Sequence, residues 1–346
     1  MGFITLHPGS PVHEEIVRQL SPTVERKQPK KPLLPGTKPR VLLLADVHGW
    51  AFDVNLRDMA ERLKDRFDFD FWYVEDNDPW PDTPENNYDI IYTPYLRWSG
   101  VNKKLDCSKA VGSLRSRWFY PEKPEIPGTK EFELVNHFMG FHVNTKENYD
   151  ELSAHCPNMI YLTNPINMNR FPVPTPQQKK LVVSWNGNAR HVNASGVDVK
   201  GFYDLVQPAC KAARVPLEYA EYNTKRLAPG EMPAFYQKSN VALSVSLYEG
   251  ASNSVMEAMA SGLALITTDV GNHREMRDSQ LDHLGDTGIV LVERNLDAIV
   301  EALIQLKKNP KRVSAMGALN RQEISERWSW EAWADRYADF LMRGLE

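Results

Sequence analysis
The sequence predicts an α/β fold of two Rossmann-like, doubly wound domains that face a central cleft. Three observations carry that expectation. The chain has 346 residues, enough for two domains of roughly 100–200 residues each. Short apolar runs alternate with segments of helical period, the order that gives a parallel sheet covered on both faces. The alternation stops at a proline-dense stretch, residues 171–180, and then starts again.

Residues 1–39 read as a basic, proline-rich arm. The first forty residues hold seven prolines and seven Lys or Arg against three acidic residues. Proline lacks the N–H that helices and strands need, which favours an extended arm. Arg26, Lys27, Lys30, Lys31, Lys38 and Arg40 could touch phosphates; a solvated arm is the plainer alternative.

The first domain, 40–170, opens on V-L-L-L-A-D at Val41, an apolar run that ends in polar and glycine residues and so predicts a buried strand. Phe52, Leu56, Met59, Ala60 and Leu63 recur at helical spacing, which predicts a helix over 52–66. Strands are expected at 69–74, 88–92, 109–114, 140–144 and 159–162, with helices at 131–138 and 146–154. Residues 171–180 form the linker. In the second domain, 181–327, strands are expected at 181–185, 216–220, 240–245, 263–267 and 289–292. Helices are expected at 201–214, 231–238, 253–261 and 295–307, and over much of 311–343. Two such domains leave a crevice between the carboxyl ends of their sheets, where open α/β sheets bind ligands. On the fold alone that means something nucleotide-like and no more.

Composition narrows the function classes. Hydrophobic content of 42% and charged content of 25% are ordinary for a globular chain. A formal net charge of −4 gives no general pull toward nucleic acid or anionic membrane. Cys107, Cys156 and Cys210 lie too far apart for a metal-ligand spacing or a disulfide framework, which fits a reducing, cytoplasmic location. The N-terminus lacks the pattern of a signal peptide, and no stretch approaches the ~20 apolar residues of a membrane span. Asp68 and Asp70 spell D-F-D but flank a strand, so they read as strand-edge charges, and no metal or cofactor is expected.

The stretch that carries chemistry is S-V-S-L-Y-E-G-A-S-N-S-V-M-E-A-M-A-S-G, 244–262. It predicts a strand, a loop from Glu249, and a helix starting near Asn253 or Ser254, with Asn253 as a good N-cap. The loop Gly250-Ala251-Ser252 holds only small residues, so its amides can come close to a ligand. The helix start adds free N–H groups and a partial positive charge of about +0.5, suited to a pyrophosphate. Helix geometry sets Glu257 beside Asn253, Ser254, Ala260 and Ser261, apart from the apolar Val255, Met256 and Met259. A carboxylate there matches two neighbouring sugar hydroxyls; a solvated helix face is the alternative.

The pattern E-G-x-x-N-x-x-x-E-A-M-A-x-G resembles the signature of retaining glycosyltransferases of the large family four, which have the GT-B fold. Flanking segments are similar as well. M-P-A-F-Y-Q-K-S-N-V-A-L-S-V resembles that family's approach to the motif, and L-A-L-I-T-T-D-V-G-N-H-R-E its continuation. N-G-N-A-R (186–190) and D-V-K-G-F-Y-D-L-V (198–206) resemble its glycine-arginine turn and lysine-glycine helix start. Y-L-T-N-P-I-N-M-N-R-F (161–171) is similar to the start of its linker. W-S-W-E-A-W-A-D-R-Y resembles its C-terminal segment, which implies that 328–346 crosses back to the first domain.

The resemblance implies a catalytic role for Glu249, Lys200 and Arg190, and donor contacts at Glu257, Gly250, Ala251, Ser252, Asn253, Gly187 and Gly271. Glu257 would hold the donor ribose and Glu249 would sit beside the transferred sugar. Lys200 and Arg190 would neutralise the departing diphosphate. The chain departs from the pattern at Pro165, Asn167, Val245 and Leu263-Ala264. The stretched G-N-A-R also leaves His191 or a backbone amide as an alternative to Arg190. The usual glycine-rich start after the first strand reads A-D-V-H-G-W-A-F. Arg115 stands where many relatives have a histidine that meets the sugar.

His48, Gly49 and Arg115 are therefore candidates for acceptor or sugar contact, with a surface histidine and surface ion pairs as the plain alternatives for His48 and for Arg115 and Arg117. His273 and Arg274 are expected at a turn bordering the nucleotide, and Trp328, Trp330 and Trp333 as packing anchors. The expected function is transfer of a sugar from a nucleotide diphosphate donor, retaining and metal-independent. Alternatives are another GT-B enzyme, such as an epimerase or phosphorylase, or a non-catalytic nucleotide-sugar binding subunit. The acceptor is open; a modified DNA base is carried only by the basic arm.

Overall fold
The computed structural model describes residues 36–74, 87–93, 105, 110–115, 135–172, 180–193 and 196–345. The basic arm up to residue 35, Cys107, Arg117, residues 131–134 of one expected helix and linker residues 173–179 lie outside them. The compact unit is Lys38–Leu345.

Six parallel strands build the first sheet: β1 Arg40–Ala45, β2 Asp68–Tyr73, β3 Ile90–Thr93, β4 Ala110–Leu114, β5 Gly140–Val143 and β6 Met159–Tyr161, in the order β2-β1-β3-β4-β5-β6. Five parallel strands build the second: β7 Val183–Gly187, β8 Leu217–Glu221, β9 Val241–Ser244, β10 Ala264–Thr267 and β11 Ile289–Leu291, in the order β11-β10-β9-β7-β8. Strands covered on both faces favour apolar runs, and β1 is buried from Val41 through Ala45. The doubly wound α/β expectation is met. In each sheet the first strand lies between the second and third. The crossovers therefore part at β1/β3 and at β7/β9, the switch points where ligands enter such sheets.

The helices are α1 Ala51–Leu63, α2 Lys146–Leu152, α3 Gln207–Ala213, α4 Met232–Tyr236, α5 Asn253–Ala260, α6 His273–Leu284, α7 Leu296–Lys308, α8 Pro310–Arg327 and α9 Trp330–Met342. Two expected elements shift for identifiable reasons. The strand expected at 181–185 begins and ends two residues later, because its ladder with β8 runs from Val183 through Gly187. The helix expected from 201 opens as a π-turn over Phe202–Val206 before α3. Pro208 has no N–H to give the preceding turn, so the first bonds run to wider spacing, with Val206 and Gln207 donating to Gly201 and Phe202. Gly201 starts that turn at φ +66°, a left-handed value that favours glycine.

The chain crosses between the sheets twice, and the crossings lie side by side. The Ile166 N–H donates to the Trp328 carbonyl at 2.8 Å, and the Trp330 N–H to the Ile166 carbonyl at 3.2 Å. Beyond that point α9 packs onto the first sheet. Trp330, Trp333, Tyr337 and Phe340 join Val41, Leu43, Leu56 and Met59 in one core cluster. Each such ring, once buried, contributes roughly 1.5–3 kcal/mol over exposure. The three tryptophans are packing anchors as expected: the Trp328 indole donates to Glu323 at 2.7 Å and the Trp333 indole to the Arg327 carbonyl at 2.6 Å. Asp70 pairs with Arg40 at 2.8 Å on the exposed strand edge. Among the described residues, no helix is long and apolar enough to cross a membrane.

Candidate functional site
The strand β9 delivers the loop 245–252 to the carboxyl edge of its sheet, and α5 follows. Ser252, not Asn253, is the N-cap residue, and its side chain makes no capping bond. Asn253 is already helical, so its side chain is free to turn across the crevice. Its Oδ1 accepts from Asn55 Nδ2 at 3.4 Å and Asn164 Nδ2 at 3.3 Å. The small and polar face expected around Glu257 is also shorter than its spacing implied, since Ala260 and Ser261 are buried. They face α8, which packs so closely that a Cβ on Gly317 would lie 2.0 Å from the Gly262 carbonyl. Arg321 donates to the Ala260 carbonyl.

A cavity of about 390 Å³ opens between the two sheets. Gly49, Phe52, Asn55, Arg115 and Asn164 line it from one side; Asn186, Gly187, Lys200, the segment from Glu249 to Ser254, and Glu257 line it from the other. The two glutamates therefore converge on one crevice. Asp198 fixes the basic partner: its Oδ1 accepts from the Lys200 and Gly201 amides at 3.0 and 2.9 Å. Lys200 Nζ then reaches Glu249, whose carboxylate also accepts from Ser246 Oγ at 2.7 Å. Burial pushes the Glu249 carboxyl up, but the Lys200 charge and the Lys200 and Ser246 hydrogen bonds outweigh it, so the group sits below the usual glutamate range.

Glu257 has the opposite balance. Burial raises it to about 7; the Arg170 charge and a hydrogen bond from Tyr236 lower it without cancelling that rise. Tyr236 Oη lies 3.2 Å from Glu257 Oε2, and Arg170 Nη2 lies 3.7 Å from Oε1. Arg170 also pairs with Asp58 on α1 at 3.2 Å, and Asn167 donates to the same carboxylate at 3.0 Å.

Gly250 is glycine for space. A Cβ there would lie 1.9 Å from the Arg115 carbonyl oxygen. Gly271 packs behind the same loop at φ +58°, with its would-be Cβ 2.1 Å from the Gly250 carbonyl oxygen. It is absent from the wall of the crevice cavity and borders a separate cavity with Lys146, Arg274 and His283. Arg190 is exposed and also absent from the cavity wall, because the turn Asn188–His191 carries it past the rim. His191 packs edge-on to Tyr248 at 6.3 Å, and burial lowers its pKa.

Of the other candidates, Gly49 lines the cavity at φ +74° and donates its N–H to Asp53 at 2.7 Å. His48 is exposed, stacked on Tyr73 with ring centroids 3.6 Å apart, outside the cavity wall. Arg115 is buried, not a surface ion pair. His273 is fully buried, with Nδ1 2.8 Å from Thr267 Oγ1 and 3.0 Å from the Thr268 carbonyl oxygen. Burial lowers its pKa below the ordinary histidine value. Arg274 pairs with Asp269 in the open.

Arg170, Tyr236, Asn55, Asn164 and Asn186 were not singled out by sequence. Arg170 and Asn164 lay inside the linker segment Y-L-T-N-P-I-N-M-N-R-F, and Tyr236 inside the helix before the motif, so the signal was present but unassigned. Among the described residues, no group of three or more His, Cys, Asp or Glu is placed to hold a metal ion.

This arrangement offers an anion a lysine and a helix start, and offers hydroxyls a buried carboxylate, all within one crevice. Residues 191–309 match the family model described as Glycosyl transferases group 1. Over 178 residues the chain is 27% identical to a GDP-mannose-dependent alpha-(1-6)-phosphatidylinositol monomannoside mannosyltransferase of Mycobacterium tuberculosis. That match takes in 49% of this chain and 45% of that protein, less than half its length. Among solved structures, Anabaena HepE in complex with UDP and glucose superposes with a TM-score of 0.64 at 12% identity, covering 88% of this chain and 99% of that one. The sucrose-phosphate synthase of Thermosynechococcus elongatus does so with a TM-score of 0.62 at 13% identity, covering 87% and 98%. The chain therefore shares the two-sheet GT-B fold of these solved structures, and its residues 191–309 match the model of glycosyl transferases group 1.

Proposed function
We propose that this chain transfers a glycosyl group from a nucleotide diphosphate sugar to an acceptor, with retention at the anomeric carbon and without a metal ion. The observation that carries the proposal is the convergence of Glu249, Lys200 and Glu257 on one intersheet cavity with the small-residue loop between them. The donor ribose hydroxyls sit on Glu257. The diphosphate sits at the start of α5 and against Lys200. Glu249 orients the sugar and offsets the positive charge that builds as its bond to phosphate breaks. The electron pair of that bond leaves with the diphosphate, the acceptor oxygen forms the new bond, and the acceptor proton passes to the departing phosphate. Lys200 and the loop amides stabilise the leaving group, the part a divalent cation plays elsewhere. GDP-mannose and UDP-glucose are the first donors to test, since the similar proteins are named as GDP-mannose-dependent or were solved with UDP and glucose.

The direct test is release of nucleoside diphosphate from a donor panel with and without acceptors, in the presence of a chelator, with the product anomer read by NMR. Release that depends on acceptor, survives chelation and keeps the donor configuration is expected. Conversion of the donor sugar with no acceptor present would mark an epimerase instead.

A pH dependence follows from Glu257. Its carboxyl is held up to about 7 by burial, and only the ionised form accepts two hydroxyl donors. Donor affinity is expected to rise roughly tenfold or more between about pH 5.5 and 7.5 and then level. The sign for the unliganded fold is reversed. A carboxyl raised in the native state binds more protons than the unfolded chain between the ordinary glutamate range and about 7, so its contribution to stability falls as pH rises through that window. Calorimetric titration of nucleoside diphosphate at several pH values checks this; a flat profile in the wild type, or a rise that persists in Glu257→Gln, contradicts it.

A further inference from the structure
We propose that Arg115 is the crevice's seat for an anionic substituent of the substrate, a carboxylate or phosphate group separate from the donor diphosphate. The proposal rests on the glycosyl-transfer reading of the site and adds the chemical class of one substrate.

Arg115 follows β4 directly and lines the cavity, yet it is only 6% exposed. One edge of its guanidinium is held by neutral hydroxyls: Nη2 donates to Tyr92 Oη at 2.6 Å and Nε to Ser113 Oγ at 3.2 Å. Tyr92 Oη lies in turn 2.9 Å from His142 Nε2, within a fully buried ring cluster, so the guanidinium is anchored from behind. His142 offers no negative charge in any protonation state, and burial together with the nearby Arg115 lowers its pKa well below the ordinary histidine value. The opposite nitrogen, Nη1, is buried and has no hydrogen-bond partner.

The other cations of the cavity are matched. Lys200 pairs with Glu249, and Arg170 pairs with Asp58 and faces Glu257. Among the described residues, no carboxylate lies within ion-pair distance of Arg115. Asp46, at the end of β1, is the acidic group that acts on it from farther off, and burial raises the pKa of Asp46. A guanidinium never gives up its proton in a protein, so a buried one without a counter-ion is costly until a ligand supplies the anion. Its planar fork favours two-oxygen groups, carboxylate or phosphate, over a hydroxyl.

The donor diphosphate has its own seat. Lys200 and the start of α5 belong to the second sheet. Arg115 belongs to the first, with its carbonyl pressed against Gly250. The anion at Arg115 is therefore carried by the transferred sugar, as in a uronic acid, or by the acceptor.

The test compares the wild-type chain with Arg115→Gln and Arg115→Lys by calorimetry and by transfer assays. Whichever of UDP and GDP binds wild type is expected to bind Arg115→Gln with a dissociation constant within about twofold, which also reports that the variant is folded. Anionic and neutral twins are then paired: UDP-glucuronate against UDP-glucose and GDP-mannuronate against GDP-mannose as donors, glucuronate and glucose 6-phosphate against glucose as acceptors. One anionic set is expected to be favoured at least tenfold by wild type. Arg115→Gln abolishes that preference and Arg115→Lys keeps part of it; the donor or acceptor arm in which this occurs names the source. A tenfold loss of UDP or GDP affinity in Arg115→Gln overturns the proposal alone, by making Arg115 a diphosphate ligand. So does the lack of any anionic preference in wild type, or its survival in Arg115→Gln. No binding of either nucleoside diphosphate to wild type overturns the glycosyl-transfer reading and this proposal with it.

Discussion
Lys200→Ala is expected to lower the turnover of glycosyl transfer by ~10²–10³-fold, the usual cost of removing one group that meets developing negative charge. The lysine stands at the start of a turn fixed by Asp198 and reaches Glu249 directly. Removing it does two things. The leaving diphosphate loses its cation, which lowers kcat. Glu249 also loses its main compensating charge while its side chain stays 13% exposed, so its pKa climbs out of the depressed range. The sign can be checked. Glu249 is held low in the native state, so it contributes stability at neutral pH that is lost as pH falls through its native value. In Lys200→Ala that contribution shrinks. The variant's melting temperature near neutral pH should therefore fall, and Glu249→Gln on top of it should recover part of the loss. Steady-state kinetics and thermal melts of the two single variants and the double variant test both halves. Unchanged kcat in Lys200→Ala contradicts the role given to the lysine.

Gly250→Ala is the second large effect. A Cβ at this position lies 1.9 Å from the carbonyl oxygen of Arg115 and 2.9 Å from its carbonyl carbon. Both are backbone atoms of the opposite sheet's edge, so no rotamer change relieves the overlap. The loop must retract or the two sheets must part, and overpacking of this kind costs typically ~1–3 kcal/mol. Retraction displaces Glu249 on one side and the start of α5 on the other, and a misplacement of about 1 Å at a reacting centre can cost ~10²-fold in rate. The expected result is a lower melting temperature together with at least a hundredfold loss of kcat/KM. Alanine at the exposed Gly230, whose added methyl meets nothing within 4 Å, serves as the control.

The fold was legible because many of its strands are short, largely apolar runs separated by segments of helical period. Val41–Ala45 and Ala264–Thr267 bury every residue, as parallel strands covered on both faces must. The glutamate pair was legible because its geometry is local: a tight loop and one short helix place both groups whatever surrounds them. What stayed hidden depends on distant segments. The Arg170–Asp58 pair joins residues 112 apart in sequence, and no local spacing reports such a contact. Asn253 read as a cap because its type fits one. The crevice instead supplied Asn55 and Asn164 as partners, and the cap passed to Ser252. Ala260 and Ser261 looked open from the helix alone, until α8 arrived with Gly317 against that face. For Arg115 the sequence left a substrate contact and a surface ion pair side by side, because the tyrosine and histidine that anchor it lie on neighbouring strands.

The measurement closest to the central claim is calorimetric titration of UDP and GDP into the wild-type chain and into Glu257→Ala. One of the two nucleotides should bind wild type at a single site per chain, and Glu257→Ala should weaken that binding at least tenfold without lowering the melting temperature of the unliganded protein below the assay temperature. Equal affinity in the two proteins, or saturation of neither nucleotide in wild type, would place the ligand somewhere other than the crevice between Glu249 and Glu257.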